Sequence, residues 1–479
     1  MPRIPIPLGK AFTKGRSTAA GMQSMVNMYS EQVLLDGRTD TVCYSSPGRT
    51  AFAGLSGTIR GQITADGIHY AVSGTTLYKV NGSAAATALG TVEGVNLVDM
   101  AFNGLQLEIV SDLKTYTLNA STLDFAEIND INFATASSCA SVSSYSLFSE
   151  KGSARLRWRL AGDTAFGALD YATAEAESDS IVAIRKVGNE VALLGETSVE
   201  WWGATGESGA DAFARNSTAP AGIGCVSRSS ALVVDDGLTW IGRDGKSGGV
   251  SVYRAEGYRP RKISTPQIDE YLEAASDPSL ISAISYQQRG HLFYVITLPS
   301  EWTLALDILT GVWSYRKNGT WSMGAEPMGG WDATTFALNG SKQIIGCSDG
   351  NLWELDPDKY TDDITGSPGP LIREVTAPQI SEQGKRMFMR RLELEIEAGV
   401  GVSSGQGSSP VVMESHSDDG GKTWSSPRNA GMGAVGEYKW RAVWHALGSF
   451  RQRIIKFRVS DPVPAVFLTA HADVDAGGH

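Results

Sequence analysis

The chain has 479 residues, enough for two or three domains and a substantial core, and it sets 41 basic against 52 acidic side chains for a net charge of −11. That balance excludes a protein that grips nucleic acid by neutralising phosphates, while leaving room for a surface that DNA slides past. Only 19% of residues are charged, below the usual share of about a quarter, so the surface is rich in Ser, Thr, Asn and Gly or is covered by other subunits.

In chain order, Met1 to Lys10 contains prolines and no apolar segment of the kind that forms a signal peptide. No run of 18 apolar residues follows anywhere, so no transmembrane helix and no direct membrane insertion are expected. Residues 1–45 read as an extended arm. From there to about residue 365, short apolar runs alternate with Gly, Asn and Asp turns, the pattern of a sandwich, barrel or propeller. Several hairpins share a look, with an aromatic in the later strand: Leu77-Tyr78, Thr115-Tyr116, Glu200-Trp201, Val252-Tyr253 and Leu352-Trp353. Their spacing is uneven, which suits a degenerate β-propeller and does not fix the number of blades. One helix is expected after Ser264 or Thr265 as cap, with Pro266 in the first turn, Ile268, Tyr271 and Leu272 on one face, and an end before Pro278. A second short helix is expected over Ser279 to Ser285.

Asp356 to Pro370 is dense in Asp, Gly and Pro and reads as a solvated linker. Beyond it, residues 366–479 read as a β-sandwich-like domain. Leu392 to Glu397 alternates apolar residues with glutamates, and Ile455 to Val459 alternates apolar residues with Lys456 and Arg458. A period of two fixes these faces, and the opposite charges suggest that the two strands share a sheet, adjacent or one strand apart. The rival reading leaves the glutamate face in solvent or facing a channel. The expected fold class is therefore all-β: an irregular β-propeller-like domain over 46–365, a C-terminal β-sandwich-like domain, and one or two short helices.

Candidate chemistry is sparse. Ser417-Asp418-Asp419-Gly420-Gly421-Lys422-Thr423-Trp424 is an Asp-box, a hairpin signature of sialidase-type propellers and of many other β proteins. In it Asp419 holds a tight turn, and Thr423 and Trp424 are expected to begin a strand. Gly245-Lys246-Ser247 resembles the end of a P-loop, but Trp240 stands where the first glycine belongs, so Asp244-Gly245 is read as a hairpin turn. Asp356, Asp358, Asp362 and Asp363 lack EF-hand spacing. The four cysteines, Cys43, Cys139, Cys225 and Cys347, are far apart, and the six histidines form no H-x-x-x-H pair. A G-x-S-x-G elbow is absent. Trp201-Trp202 suits either a stacking platform or one core and one interface side chain, the second being favoured. No catalytic, cofactor-binding or metal-binding residue is assigned, and no cofactor is expected.

Several stretches in order carry a resemblance. They are Val26-Asn27-Met28-Tyr29-Ser30-Glu31, Ser46-Pro47-Gly48, Ser198-Val199-Glu200-Trp201-Trp202 with Gly206, and Pro260-Arg261-Lys262-Ile263-Ser264-Thr265. Gly290-His291-Leu292-Phe293-Tyr294, Leu298-Pro299, Leu306-Asp307 with Gly311-Val312-Trp313, and the Asp-box followed by Gly436-Glu437-Tyr438, Trp444, Leu447-Gly448 and Phe457-Arg458 complete the set. Together they resemble the packaged-DNA stabilisation proteins of short-tailed bacteriophages, which form the tail hub or nozzle. The resemblance implies a propeller-like fold and a homohexameric ring that continues the DNA channel below the portal and adaptor. It also implies a role in retaining and ejecting DNA, and no enzymatic activity. Expected partners are the adaptor, a needle, spike or fibre, and DNA in transient, non-specific contact. The expected location is the virion tail, after folding in the host cytoplasm. The alternative is a glycan-binding or glycan-cleaving, sialidase-like propeller, which would need an arginine cluster and a Tyr–Glu pair.

Overall fold

The computed structural model describes residues 3–14, 22–35, 38–174, 179–216, 220–318, 329–363, 368–382 and 384–476. Its regular structure is nearly all strand. The hairpin chemistry read from the sequence builds it: Ile59–Ala65 and Ile68–Ser73 are joined by Asp66 and Gly67, at φ 48° and 71°. Positive φ at both turn positions is what a two-residue hairpin of right-twisted strands needs.

The described strands between residues 48 and 356 form seven blades. Their inner strands are Ile59–Ala65, Asp99–Phe102, Ala136–Val142, Ile181–Val187, Leu232–Val234, Ser282–Gln288 and Ala333–Asn339. Each packs against the next, and the last packs against the first, so they ring a central axis. The aromatic dipeptides noted in the sequence all fall in the third strand of their blades: Thr76–Val80, Thr115–Asn119, Val199–Ala204, Val250–Glu256 and Asn351–Asp356. The ring is closed by the chain's beginning. Gly48–Gly54 pairs antiparallel with Asn351–Asp356 as the fourth strand of the seventh blade. In the fifth blade the outermost strand, Arg259–Lys262, carries three cations and a proline, which protect an open edge from further pairing.

The C-terminal domain is a sandwich of two sheets, and here the expected N-terminal arm is corrected. Arg3–Ile6 pairs with Phe467–Ala476, and the hairpin of Met28–Leu35 and Arg38–Ser45 joins the same sheet at Phe467 and Cys43. Met22–Val26 pairs with Arg373–Thr376 of the second sheet and meets Trp313–Tyr315 of the sixth blade, making one continuous 11-stranded sheet across the domain junction. Asn27 pins this junction. It is fully buried at φ 50°. Its side-chain amide donates to the carbonyls of Lys317 (2.8 Å) and Ile372 (2.9 Å), and its Oδ1 accepts from the Lys317 N–H (2.9 Å). These partners lie about 300 residues away in sequence, which is why residues 1–45 look unpartnered when read alone.

The charged pairing expected in the sandwich is also corrected. Met387–Ile396 and Gln452–Val459 lie in different sheets. Their apolar residues, Leu392, Leu394, Ile396, Ile455, Phe457 and Val459, do share one core. The charges find other partners: Glu393 binds Arg3, Arg391 and Arg441, whereas Lys456 and Arg458 bind Glu374. Both charges are needed, but each sheet neutralises its own.

The helix forms over Pro266–Glu273 with Thr265 at its N-cap, Ile268 and Leu272 buried, and Tyr271 partly buried beside them. Ser264 bonds Asp269 of the first turn (2.6 Å). No second α-helix follows. Pro278–Leu280 is a single 3-10 turn capped by Asp277, and Ser282–Gln288 is the inner strand of the sixth blade.

Candidate functional site

The propeller axis is where side chains from distant parts of the chain converge, and three arginines occupy it. Arg185 donates to the carbonyls of Ala231 (2.7 Å) and Arg228 (2.9 Å) and to Asp99 Oδ2 (2.9 Å). Arg228 donates to the carbonyls of Ser137 (2.6 Å) and Leu97. Arg60 donates to those of Asn96 (2.7 Å), Gly74 (2.9 Å) and Val92 (3.0 Å) and reaches Asp112 at 3.4 Å. Arg185 and Arg228 thus tie non-adjacent blades together across the axis, while Arg60 fastens the first blade to the segment that enters the second. Burial alone would raise the Asp99 carboxyl, but Arg185, Arg228 and the Ser138 hydroxyl hold it below its ordinary value. A waist of about 140 Å³ lies between these groups. It opens at the end where the inner strands begin into a cavity of about 600 Å³.

Sequence reasoning missed this arginine cluster. The signal was an arginine directly after an isoleucine in two of the inner strands, Ile59-Arg60 and Ile184-Arg185. Among the described residues, neither the waist nor the cavity is lined by Tyr or Glu, the pair that a sialidase adds to its arginines.

The Asp-box lies in the sandwich, far from the axis in the fold. Asp419 accepts from the Ser417 hydroxyl (2.7 Å), the Lys422 N–H (2.9 Å), and the Thr423 N–H (2.9 Å) and hydroxyl (2.6 Å). These donors, the Thr423 hydroxyl foremost, hold its carboxyl far below the usual range. The strand resumes at Arg428–Gly431, so Thr423 and Trp424 still belong to the turn. Trp424 instead lies 4.0 Å from the Lys456 ammonium, a cation–π contact. Asp418 receives a two-pronged bond from buried Arg453, 2.7 Å at each oxygen. The motif is a fastening.

The other candidates resolve similarly. Asp362, read as part of a solvated linker, is buried and clamped by Arg49 at 2.5 and 2.8 Å, and Asp363 is bound by Lys359 at 2.7 Å. The segment Thr361–Asp363 bridges to the propeller's closing strand. Trp201 and Trp202 are both buried, Trp201 in the core between the fourth and fifth blades and Trp202 in that between the third and fourth. Asp244 caps its turn through the Lys246 N–H and the Ser247 hydroxyl. All four cysteines are free and buried, and burial pushes the Cys43, Cys225 and Cys347 thiols up to about 12. Among the described residues no group of three or more His, Cys, Asp or Glu is arranged to hold a metal ion. No helix among them is long and apolar enough to cross a membrane.

Comparison with known families joins both halves. The bacteriophage P22 Gp10 β-propeller matches residues 4–360, and the bacteriophage P22 Gp10 β-sandwich matches residues 372–475. The chain belongs to the bacteriophage P22 Gp10 family. As a Gp10-family member it is a phage structural protein and a component of the virion, built as propeller then sandwich. No curated protein matches its sequence. Among solved structures it is similar to PorZ, a bacterial surface component of the type-IX secretion system of Porphyromonas gingivalis (13% identity, TM-score 0.37), covering 66% of this chain and 38% of that one. It is also similar to the Neurospora crassa Pan2 WD40 domain (9% identity, 65% and 96% covered, TM-score 0.41) and the Nup159 N-terminal domain (9%, 69% and 98%, 0.41). These likenesses concern chain shape alone.

Proposed function

We propose that this Gp10-family chain is the tail hub, or nozzle, of a short-tailed phage. Six copies form a ring that continues the DNA channel below the portal and adaptor, helps retain the packaged DNA and takes part in its ejection. The observation that carries this reading is the family match across both domains. The closed axis supports it: Arg185 reaches Asp99, and Arg228 reaches Ser137 and Leu97, across the centre of each propeller, so a duplex cannot thread one protomer and a conduit has to lie between copies. Closed cyclic symmetry is the natural way to build one. The ring docks on the adaptor above and carries a needle, spike or fibre below. It has no catalytic role, and DNA touches it only in passing.

A phage carrying a stop codon in this gene tests the role. Heads are expected to package DNA and then lose it, with retention restored when the chain is supplied from a plasmid. Mutant particles that hold their DNA and infect normally would refute the reading. A fluorogenic sialoside is expected to remain intact with the purified chain; turnover would favour the glycan-cleaving alternative.

A further inference from the structure

All seven blades contribute to the wall of the cavity of about 600 Å³ at the mouth of the axis. Its size falls within the range of ligand pockets, about 300–1,000 Å³. Of the described ionisable side chains lining it, Arg60, Lys151 and Arg228 are cationic and Asp112 is anionic. Asp112 is already engaged by Arg60. Lys151 and Arg228 bond only backbone carbonyls, Lys151 that of Asp112 (2.6 Å) and Arg228 those of Ser137 and Leu97. A chain of net charge −11 thus presents a pocket whose described ionisable lining is three cations and one carboxylate. The rest of the described wall mixes Ser, Thr and Asn side chains with aliphatic ones, among them Val95, Leu97, Val182 and Leu280. Val95 and Leu280 stand at its rim 82% and 52% exposed, an arrangement that leaves apolar surface in water for a partner to cover. No aromatic side chain lines the cavity, so a nucleobase or sugar ring has nothing to stack on.

We infer that this cavity is a binding site for an extended peptide segment that sets one carboxylate side chain between aliphatic neighbours. The carboxylate meets Lys151 and Arg228, and the aliphatic side chains cover Val95 and Leu280. The inference stands apart from the hub reading, since it rests on the propeller alone.

Titration calorimetry of the full chain with acetyl-Leu-Glu-Leu-amide and acetyl-Leu-Gln-Leu-amide tests it. The glutamate peptide is expected to bind and the glutamine peptide to bind about tenfold more weakly, a difference of about 1.4 kcal/mol. Lys151→Glu and Leu280→Asp change exposed side chains, so both should melt like the parent, and each should weaken the glutamate peptide about tenfold. Arg228 is left intact because it holds Leu97 and Ser137 in place. Three results would overturn the site: no heat from the glutamate peptide at about 1 mM, equal binding of the two peptides, or binding unaffected in both variants. Displacement of the peptide by inorganic phosphate or oligothymidylate would overturn it too, by assigning the cations to phosphate.

Discussion

His69 lies in the second strand of the first blade, 1% exposed, its Nδ1 3.2 Å from the Thr64 hydroxyl and its Nε2 without a partner. Burial pushes its pKa down to about 4. An unfolded imidazole titrates near 6.5, so between those values the unfolded state binds a proton that the folded state refuses. Stability therefore rises as pH increases from about 4 to 6.5, by as much as about 3 kcal/mol from this group. Urea titrations across that window should show a flatter pH dependence for His69→Gln than for the parent, and equal slopes would remove the argument. The Arg49–Asp362 pair is a second sensitive point, with both groups at most 3% exposed. Asp362→Ala strands a buried guanidinium and should cost about 3–5 kcal/mol by denaturant unfolding. A loss under 1 kcal/mol would mean that the neighbouring carbonyls suffice for Arg49. Asp419→Ala frees two N–H groups and two hydroxyls of the Asp-box turn and should lower the melting temperature while the protein stays folded. An unchanged melting temperature would show that the turn holds without it.

At the scale of elements, the first 45 residues are the most consequential. They supply strands to both sheets of the sandwich and a link to the sixth blade, and the strand just after them closes the propeller. A chain that starts at residue 46 should keep its blades but expose the sandwich core, so limited proteolysis should remove residues after 366 first. Adding residues 1–45 as a separate peptide should restore protection. Protease resistance equal to the full chain would contradict this. These pairings were hidden in the sequence because strand partners more than 300 residues apart leave no local mark. What was legible was local. Turn residues marked the hairpins, the aromatic in each third strand marked the blades, and Pro266 with its apolar stripe marked the helix. The Leu392–Glu397 and Ile455–Val459 alternations correctly gave faces. They did not give neighbours, because Glu374, Arg3 and Arg441 supply the same charge matching from elsewhere in the chain, and Arg391 supplies it from within the strand of Glu393. At the axis, Arg185 and Arg228 were invisible as a pair because their partners Asp99, Leu97 and Ser137 lie in or beside blades that only the closed ring brings near them.

At the scale of the whole molecule, acidic charge and ring assembly belong together. A conduit that releases DNA quickly needs a wall that does not hold phosphates, since each neutralised phosphate adds affinity and salt dependence. The assembled ring is therefore expected to bind duplex DNA weakly at physiological salt, and tight binding there would contradict an acidic or neutral channel wall. The arrangement of copies is the central point. Electron microscopy of the chain assembled with the adaptor ring of its phage tests it most directly. End views are expected to show six propellers around an open channel continuous with the adaptor. Monomers alone, or a ring with its centre filled by protein and no channel between copies, would contradict the proposed hub.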